Sequence, residues 1–261
     1  MKDYLSRSWQ PALHANGLGS FEAVWGLDIG WFEEPNRRRG GWSGVSRCEL
    51  EFPAGEITGI FVKRQEDHVC RTPLHPLRGV LTFEREFRNL QRYRSLGIPS
   101  LELVYFASRK VNGHRRAALI TRELSGYVPL DHCVAFWQAE GHPERQVRHE
   151  LIGLVAGAVS RLHQHHLQHN CFYPKHIFVG DMNGSMDIRI IDLEKTKWRL
   201  SKARAMLRDL DTLNRHSPGW SRTDRLRFLL AYYQVERVDA RVRNTWNRLA
   251  ARMRSKQRRR L

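Results

Sequence analysis

The residues best suited to chemistry in this chain are one lysine and two acids that follow it in order. Lys63 closes the strand-like stretch 59–63, Glu86 lies in the helical stretch that follows, and Asp192 comes directly after two isoleucines. Phosphoryl transfer requires a cation for the phosphates and carboxylates that hold Mg²⁺. The ordered set therefore predicts a phosphoryl-transfer site, whereas a strand lysine taken alone is better explained as an edge residue that discourages aggregation.

Glycines precede the lysine, and a polar stretch follows the next predicted strands. Gly40, Gly41 and Gly44 form a flexible turn whose backbone amides can approach phosphates. Glu123 lies in the Thr-Arg-Glu-Leu stretch 121–124, where the two halves of the chain meet. An adenine edge is expected to contact backbone groups there, so these residues are predicted to bind the nucleotide together with the lysine and its acidic partner.

Two glutamates compete for the role of that acidic partner. Glu84 and Glu86 are two positions apart on the predicted helix and cannot share a face. Phe83 and Phe87 define the buried face of the same helix. The residues alone leave the choice between the two glutamates open.

The stretch 169–176, His-Asn-Cys-Phe-Tyr-Pro-Lys-His, lies between a predicted helix and a predicted strand. Five histidines cluster in and before it: His163, His165, His166, His169 and His176. A transition-metal site is one interpretation, but no carboxylate or second cysteine completes a ligand set. Structural or catalytic-loop roles are therefore preferred, and a nucleophilic Cys171 is disfavoured because no partner acid is visible.

The elements that must position these residues change in character along the chain. The stretches 45–52, 59–63, 101–108 and 117–123 have strand character, and 82–96 has helical periodicity. Helical spacing then dominates in 147–166, 204–213, 223–233 and 239–253. The sequence predicts an α+β fold of two lobes, a strand-rich one over 1–124 and a helical one over 125–261, with a ligand cleft between them.

The composition limits the partners. The formal net charge is +17, so anionic partners are expected: nucleic acid, an acidic membrane surface or a phosphorylated substrate. Nucleic acid is disfavoured because the chain has no zinc-finger spacing, aromatic RNA-binding motif or helix-turn-helix pattern. Four widely separated cysteines, no signal-peptide run and no long apolar stretch predict a cytoplasmic protein with reduced thiols.

The C-terminal stretch 241–261 is strongly basic, with nine lysines and arginines and no acid. Trp246, Leu249 and Met253 recur in it at helical spacing. An amphipathic helix lying on anionic lipid or on lipopolysaccharide precursor fits this pattern. Packing of the three apolar residues in the core, with the arginines merely exposed, is the alternative.

Several motifs resemble the lipopolysaccharide core kinases of the InaA and WaaP type, a branch of the protein-kinase-like superfamily, over residues 36 to 233. The motifs are 39–45 (Arg-Gly-Gly-Trp-Ser-Gly-Val), 83–87 (Phe-Glu-Arg-Glu-Phe), 173–178 (Tyr-Pro-Lys-His-Ile-Phe), 191–195 (Ile-Asp-Leu-Glu-Lys) and 208–210 (Arg-Asp-Leu). Within the branch the chain resembles the InaA group most. The resemblance implies a protein-kinase-like bilobal fold and transfer of the ATP γ-phosphate, with Mg²⁺, to a heptose hydroxyl of the lipopolysaccharide core precursor on the inner face of the cytoplasmic membrane.

The resemblance also implies roles for single residues. Lys63 binds the ATP phosphates, and Glu86, rather than Glu84, orients it. Asp192 takes the place of the Mg²⁺-binding aspartate, and His176 stands where many kinases have a metal-binding asparagine. At the catalytic loop His169 is the first residue, and Asp209 braces the loop from the following helix.

One departure from the family pattern bears on activity. The His-Arg-Asp catalytic loop of WaaP-type proteins corresponds here to His169, Asn170 and Cys171. A thiol, with a reference pKa of about 8.5, replaces the carboxylate that accepts the substrate proton. His169 and Glu194 are the candidate replacement bases. The chain is therefore expected to be an active kinase or, as the alternative, a catalytically weak homologue that binds nucleotide or anionic envelope components.

Overall fold

The computed structural model describes residues 3–37, 40–72, 75–182 and 184–258. Arg39 of the glycine-rich motif and the last three residues of the basic C-terminal stretch lie outside the described residues. The chain divides into two compact units, one formed by Met1–Arg92 and Leu101–Ser125 and the other by Tyr93–Ser100 and Gly126–Leu261. Among the described residues, no helix combines the length and apolarity needed to cross a bilayer.

The N-terminal unit is built on antiparallel strands. Its elements, in chain order, are β1 (Tyr4–Leu5), α1 (Gln10–Ala15), α2 (Phe21–Trp25), β2 (Glu33–Asn36), β3 (Trp42–Glu51), β4 (Ile57–Glu66), β5 (Val69–Thr72), β6 (His75–Leu81), α3 (Thr82–Ser95), β7 (Leu103–Val111) and β8 (His114–Arg122). Within the described residues the main sheet has the order β1-β7-β8-β4-β3-β2, and β5 pairs with β6 as a separate hairpin.

Side chains along β4 alternate between the two faces of the main sheet. Ile60 and Val62 are buried in a core with residues of α1 and α2, including Leu13 and Val24. Lys63 therefore points to the opposite face, because successive strand side chains alternate. In the register Val45 lies opposite Lys63 on one side and Leu119 on the other.

The C-terminal unit is mainly helical. Its elements, in chain order, are β9 (Val128–Pro129), α4 (Leu130–Glu140), α5 (Arg145–Gln164), β10 (Leu167–Gln168), β11 (Ile177–Met182), β12 (Ser185–Ile190), β13 (Lys197–Trp198), α6 (Lys202–Arg215), α7 (Arg222–Tyr233) and α8 (Ala240–Arg258). Short 3₁₀ turns at Pro174–His176 and Leu193–Lys195 flank the β11–β12 hairpin.

Local sequence explains where these helices begin. Ser201 caps α6 by accepting a hydrogen bond from the amide of Arg204. Ser221 and Asp224 form a reciprocal capping box at the start of α7. Buried leucine, isoleucine and valine side chains at helical spacing give α5 its inward face.

The architecture confirms the predicted α+β class, with an antiparallel sheet first and helices after it. The helix expected over 82–96 is α3 (Thr82–Ser95), and the helix expected over 147–166 is α5 (Arg145–Gln164). The sequence did not reveal α1 and α2, which bury Trp9, Leu13 and Phe21 against the main sheet. They were missed because short helices carry too few turns for a periodic signal.

Candidate active site

Lys63 and Glu86 form a hydrogen-bonded ion pair in the N-terminal unit. The ammonium of Lys63 donates to Glu86 Oε1 at 2.6 Å, and the two side chains are only 17% and 6% exposed. Glu84 instead accepts from Arg88 one turn along the same helix, at 2.6 Å. The ammonium is thus fixed in direction by a buried carboxylate on α3, as a phosphate-binding cation must be.

Gly40 and Gly41, which precede β3, and Gly44, which lies within it, have different surroundings. Gly40 has a φ of +78° and open space where a Cβ would lie, so the backbone conformation is what requires glycine there. A Cβ at Gly41 would lie 2.1 Å from the carbonyl oxygen of Glu66. A Cβ at Gly44 would lie 2.6 Å from the ring of Trp31, on the face opposite Lys63. Close packing therefore accounts for Gly41 and Gly44 without a phosphate.

Glu123 follows β8 and is tied to the neighbouring strands. Its carboxylate accepts two hydrogen bonds from Arg47, at 2.7 and 2.8 Å, and lies over Gly59. Its amide donates to the carbonyl of Gly59 at 2.9 Å. Glu123 thus closes the end of the face that carries Lys63.

In the C-terminal unit a buried aspartate holds the loop that follows β10. The two carboxylate oxygens of Asp209 accept from the amides of His169, at 2.7 Å, and Asn170, at 3.0 Å. His163 donates to the same carboxylate from Nε2 at 3.3 Å. Asn170 has a φ of +68° and donates from Nδ2 to the carbonyl of Lys195 at 2.8 Å. The loop backbone is therefore fixed on both sides.

Both ring nitrogens of His169 are engaged. Nε2 lies 2.9 Å from the carbonyl of Ile191, so it donates, and Nδ1 accepts from the amide of Cys171 at 3.3 Å. Burial lowers the pKa of His169 to about 4. The imidazole is neutral at physiological pH and offers no lone pair to a substrate hydroxyl. These contacts favour a positioning role over a role as general base.

Cys171, His176 and Asp192 lie close together beyond this loop. His176 Nδ1 is 2.8 Å from the carbonyl of Cys171 and 3.6 Å from Asp192 Oδ2. Burial, and then the nearby Asp192 carboxylate, raise the pKa of the Cys171 thiol. The thiol is thus protonated at neutral pH. Asp192 adopts a left-handed backbone with a φ of +59°, a conformation that aspartate tolerates better than most non-glycine residues.

Of these residues, Asp192 fits a Mg²⁺ ion, which would then be held mainly by the phosphates of a nucleotide. Mg²⁺ commonly uses one or two carboxylates together with substrate phosphates and water, and Asp192 supplies one carboxylate. His176 fits less well, because its Nδ1 is committed to a backbone carbonyl and Mg²⁺ prefers oxygen ligands. Within the described ranges no group of three or more histidine, cysteine, aspartate or glutamate side chains is arranged to hold a metal. Of the five clustered histidines, His163 bonds Asp209 and His169 bonds the carbonyl of Ile191.

A cavity in the C-terminal unit was not anticipated from the sequence. It has a volume of about 420 Å³ and is lined largely by apolar side chains of α5, α6, α7 and α8. Trp246, Leu249 and Met253 of α8 line it. The apolar face of the basic C-terminal helix is thus turned into the unit, while Lys256 bonds Asp211 of α6 at 3.3 Å. The helical spacing of apolar residues in α5, α7 and α8 was the available signal, but spacing does not reveal imperfect filling.

Comparison with known proteins agrees with this geometry. Residues 22–232 match the family model described as Lipopolysaccharide kinase (Kdo/WaaP) family. Protein InaA of Escherichia coli (strain K12) is 28% identical over 218 residues, which cover 82% of this chain and 96% of InaA. Lipopolysaccharide core heptose(I) kinase WaaP of the same strain is 26% identical over 163 residues, covering 59% of this chain and 61% of WaaP. The solved structure "WaaP in complex with acyl carrier protein" superposes with a TM-score of 0.71 at 23% identity, covering 99% of both chains, and confirms the fold.

Proposed function

The chain belongs to the lipopolysaccharide kinase (Kdo/WaaP) family, and on that premise we propose that it transfers the γ-phosphate of ATP to a heptose hydroxyl of the lipopolysaccharide core. The observation that carries the proposal is the buried ion pair of Lys63 and Glu86. A lysine held at 2.6 Å by a buried carboxylate presents its charge in one direction. Such a cation stabilises the charge that spreads over the phosphate oxygens in the transition state.

The remaining roles follow from the contacts within the C-terminal unit. Asp192 provides the carboxylate for Mg²⁺, which when bound neutralises charge on the phosphates. Asp209 fixes the amides of His169 and Asn170, so the loop that leads to Cys171 keeps one geometry. Catalysis of phosphoryl transfer depends mainly on such positioning and on electrostatic stabilisation.

Removal of the acceptor proton is the step for which this chain is poorly equipped. The Cys171 thiol is protonated at neutral pH, because burial and Asp192 raise its pKa. Loss of a general base typically costs a factor of about 10² to 10⁴ in rate. The specific alternative is therefore a weak or inactive kinase homologue that binds nucleotide or an anionic envelope component.

The first experiment measures Mg²⁺-dependent ATP binding and phosphate transfer to dephosphorylated lipopolysaccharide core. Lys63→Arg keeps a positive charge beside Glu86, and Asp192→Asn suits the left-handed backbone, so both variants are expected to fold. Each is expected to lower transfer at least about a hundredfold. Lys110→Arg, an exposed lysine on β7, is the matched control. Wild-type protein that binds no ATP would refute the proposal.

A second experiment decides between the kinase and the weak homologue. Cys171→Asp restores a carboxylate and is expected to raise kcat by a factor of about 10² or more if proton removal limits the rate. Cys133→Asp, a half-buried cysteine on α4, is the matched control. If both the wild type and Cys171→Asp bind nucleotide but transfer no phosphate, the chain is an inactive kinase homologue.

The proposed setting is the inner face of the cytoplasmic membrane, where the lipopolysaccharide core precursor is the acceptor and the anionic membrane surface is a second partner. The net charge of +17 supports an anionic partner. Because the apolar face of α8 lines the cavity, the basic C-terminal stretch contributes charge to that contact rather than an inserted helix.

The cavity favours one further candidate function, binding of an acyl carrier protein. The neighbouring WaaP structure is a complex with acyl carrier protein, and an apolar cavity of about 420 Å³ has the size and character of a ligand site. We infer that this chain accepts the acyl chain of such a carrier there. Ala250→Phe, which fills the cavity, is expected to weaken binding of acylated carrier about tenfold or more. Ala251→Phe, exposed on the same helix, is the control, and equal binding by both variants would refute this function.

A further inference from the structure

Two large apolar side chains stand exposed on the short segment that follows Asp192. Trp198 is 54% exposed and Leu200 is 82% exposed. Among the exposed large apolar side chains of the described residues, these are the only two within two positions of each other. Exposed apolar groups that lie together mark interaction sites, whereas single ones need no explanation.

The segment holds these side chains in place. Trp198 pairs with Leu167 across the β10–β13 ladder. Its indole stacks on His166 with ring centroids 5.5 Å apart and an interplanar angle of 19°. The amide of Arg199 donates to the carbonyl of His166 at 2.7 Å, and Arg199 Nε donates to Gln168 Oε1 at 2.8 Å. These hydrogen bonds and the stacking on His166 therefore hold the exposed indole of Trp198 in a fixed position.

The segment that carries this pair is basic. From residue 195 to residue 208 the chain has six basic residues and no acidic residue: Lys195, Lys197, Arg199, Lys202, Arg204 and Arg208. All except Arg199 are exposed. The exposed part of 195–204, with Trp198 and Leu200 among the cations, forms what we term the Trp198 surface.

We propose that the Trp198 surface docks this protein onto an anionic phospholipid bilayer, with Trp198 and Leu200 entering the headgroup region and the lysines and arginines binding lipid phosphates. Tryptophan is favoured at membrane interfaces. Lysine and arginine near the surface of an anionic membrane each add attraction, in a manner that salt weakens. Charge complementarity with this basic segment explains an anionic occupant, and the exposed Trp198 and Leu200 favour a bilayer over a sugar because a bilayer can bury apolar side chains.

The Trp198 surface lies close to the proposed active-site residues. The link between docking and phosphate transfer, unlike the docking itself, rests on the proposed function. β10 leads directly into the loop of His169 and Cys171, and Cys171 is four residues beyond Leu167, the partner of Trp198. Four residues span at most about 14 Å. A bilayer bound at the Trp198 surface would therefore hold a membrane-embedded acceptor near Asp192 and Cys171.

The test measures co-sedimentation with vesicles of phosphatidylethanolamine containing phosphatidylglycerol, and with vesicles of phosphatidylcholine. The wild type is expected to bind the anionic vesicles more tightly, and added salt is expected to release it. The double variant Trp198→Ala/Leu200→Ala is expected to lose about tenfold or more in affinity. Lys197→Gln/Lys202→Gln is expected to weaken the preference for anionic vesicles and its salt dependence.

Leu77→Ala and Lys110→Gln, exposed positions in the N-terminal unit, are the matched controls. Thermal unfolding checks that each variant is folded, which is expected because the changed side chains are exposed. No binding of the wild type to either vesicle, or wild-type binding by the double variant, would overturn the docking proposal whether or not the kinase activity exists.

An experiment with a soluble acceptor shows whether the Trp198 surface binds a membrane or a sugar. Phosphorylation of a water-soluble, deacylated core oligosaccharide is expected to have the same KM and kcat in Trp198→Ala/Leu200→Ala as in the wild type. A raised KM for this soluble acceptor, with vesicle binding retained, would mean that the Trp198 surface binds the sugar and not the bilayer.

Discussion

The buried imidazole of His169 shows how single contacts decide a chemical role. A histidine in a catalytic loop suggests a base when only its type is known. Here one nitrogen donates to Ile191, the other accepts from Cys171, and burial lowers the pKa to about 4. The role left to His169 is to fix the loop relative to the strand end before Asp192.

Stability should therefore depend on pH through His169. The unfolded imidazole takes up a proton near pH 6.5, whereas the folded one stays neutral down to about pH 4. Since the unfolded state binds more protons in this window, the free energy of unfolding falls by up to about 1.4 kcal/mol for each pH unit as the pH drops through it. The stability is fully present above pH 6.5.

Urea unfolding of the wild type and of His169→Gln across this window would measure the contribution. The amide of Gln can still donate to Ile191, and the difference between the two proteins is expected to shrink steadily as the pH falls. His132→Gln, an exposed histidine on α4, is the control. A difference that is independent of pH would show that His169 does not titrate as the geometry requires.

At the scale of elements, a glycine in β3 can be required either for phosphate binding or for close packing. The sequence pattern does not distinguish these two reasons. Gly44 was predicted to belong to a phosphate-binding turn, a role that stays a prediction. In the structure it lies within β3 on the buried face, and the ring of Trp31 occupies the space next to its Cα. Trp31 also lies under Arg64 of β4, with the guanidinium 4.7 Å from the ring centroid.

A double-mutant cycle separates packing from phosphate binding. Gly44→Ala is expected to cost about 1–3 kcal/mol of stability, because the added methyl overlaps the indole. With Trp31→Ala the same change is expected to cost much less, a coupling that urea unfolding of the four proteins would reveal. The ATP affinity of folded Gly44→Ala is expected to match that of the wild type. Ser43→Ala, on the other face of β3, is the control. Weaker ATP binding with unchanged stability would support the phosphate role instead.

At the scale of the whole molecule, the excess of basic residues dominates. The formal net charge of +17 predicts attraction to any polyanion, nucleic acid included. The membership of the lipopolysaccharide kinase family and the buried Lys63–Glu86 pair give the chain a more specific chemistry. The charge is best understood as a means of association with anionic partners.

Binding to duplex DNA should therefore be nonspecific. The affinity is expected to fall steeply with salt, with a slope of about 0.9 for each phosphate contacted. Fluorescence anisotropy with two duplexes of unrelated sequence would measure it, and the two affinities should agree at each salt concentration. A preference of more than about tenfold for one sequence would contradict this view and favour a nucleic-acid function.

The sequence by itself determined the order of the chemistry and the type of most elements. Periodicity predicted α3 and the β3–β4 hairpin, and the order of Lys63, Glu86 and Asp192, with the family resemblance, predicted the kinase-like class. The predicted elements are confirmed because the repeat of a strand or helix is a local property of the chain, whereas the roles of the three site residues stay predictions.

Only the tertiary structure decided which partners these elements meet. It paired Lys63 with Glu86 rather than Glu84, placed Trp31 against Gly44, and turned the apolar face of α8 along a cavity rather than toward solvent. It also left Trp198 exposed on a basic segment. Such pairings depend on packing between residues far apart in the chain, and a local pattern that fixes which side chains share a face does not fix what that face will contact.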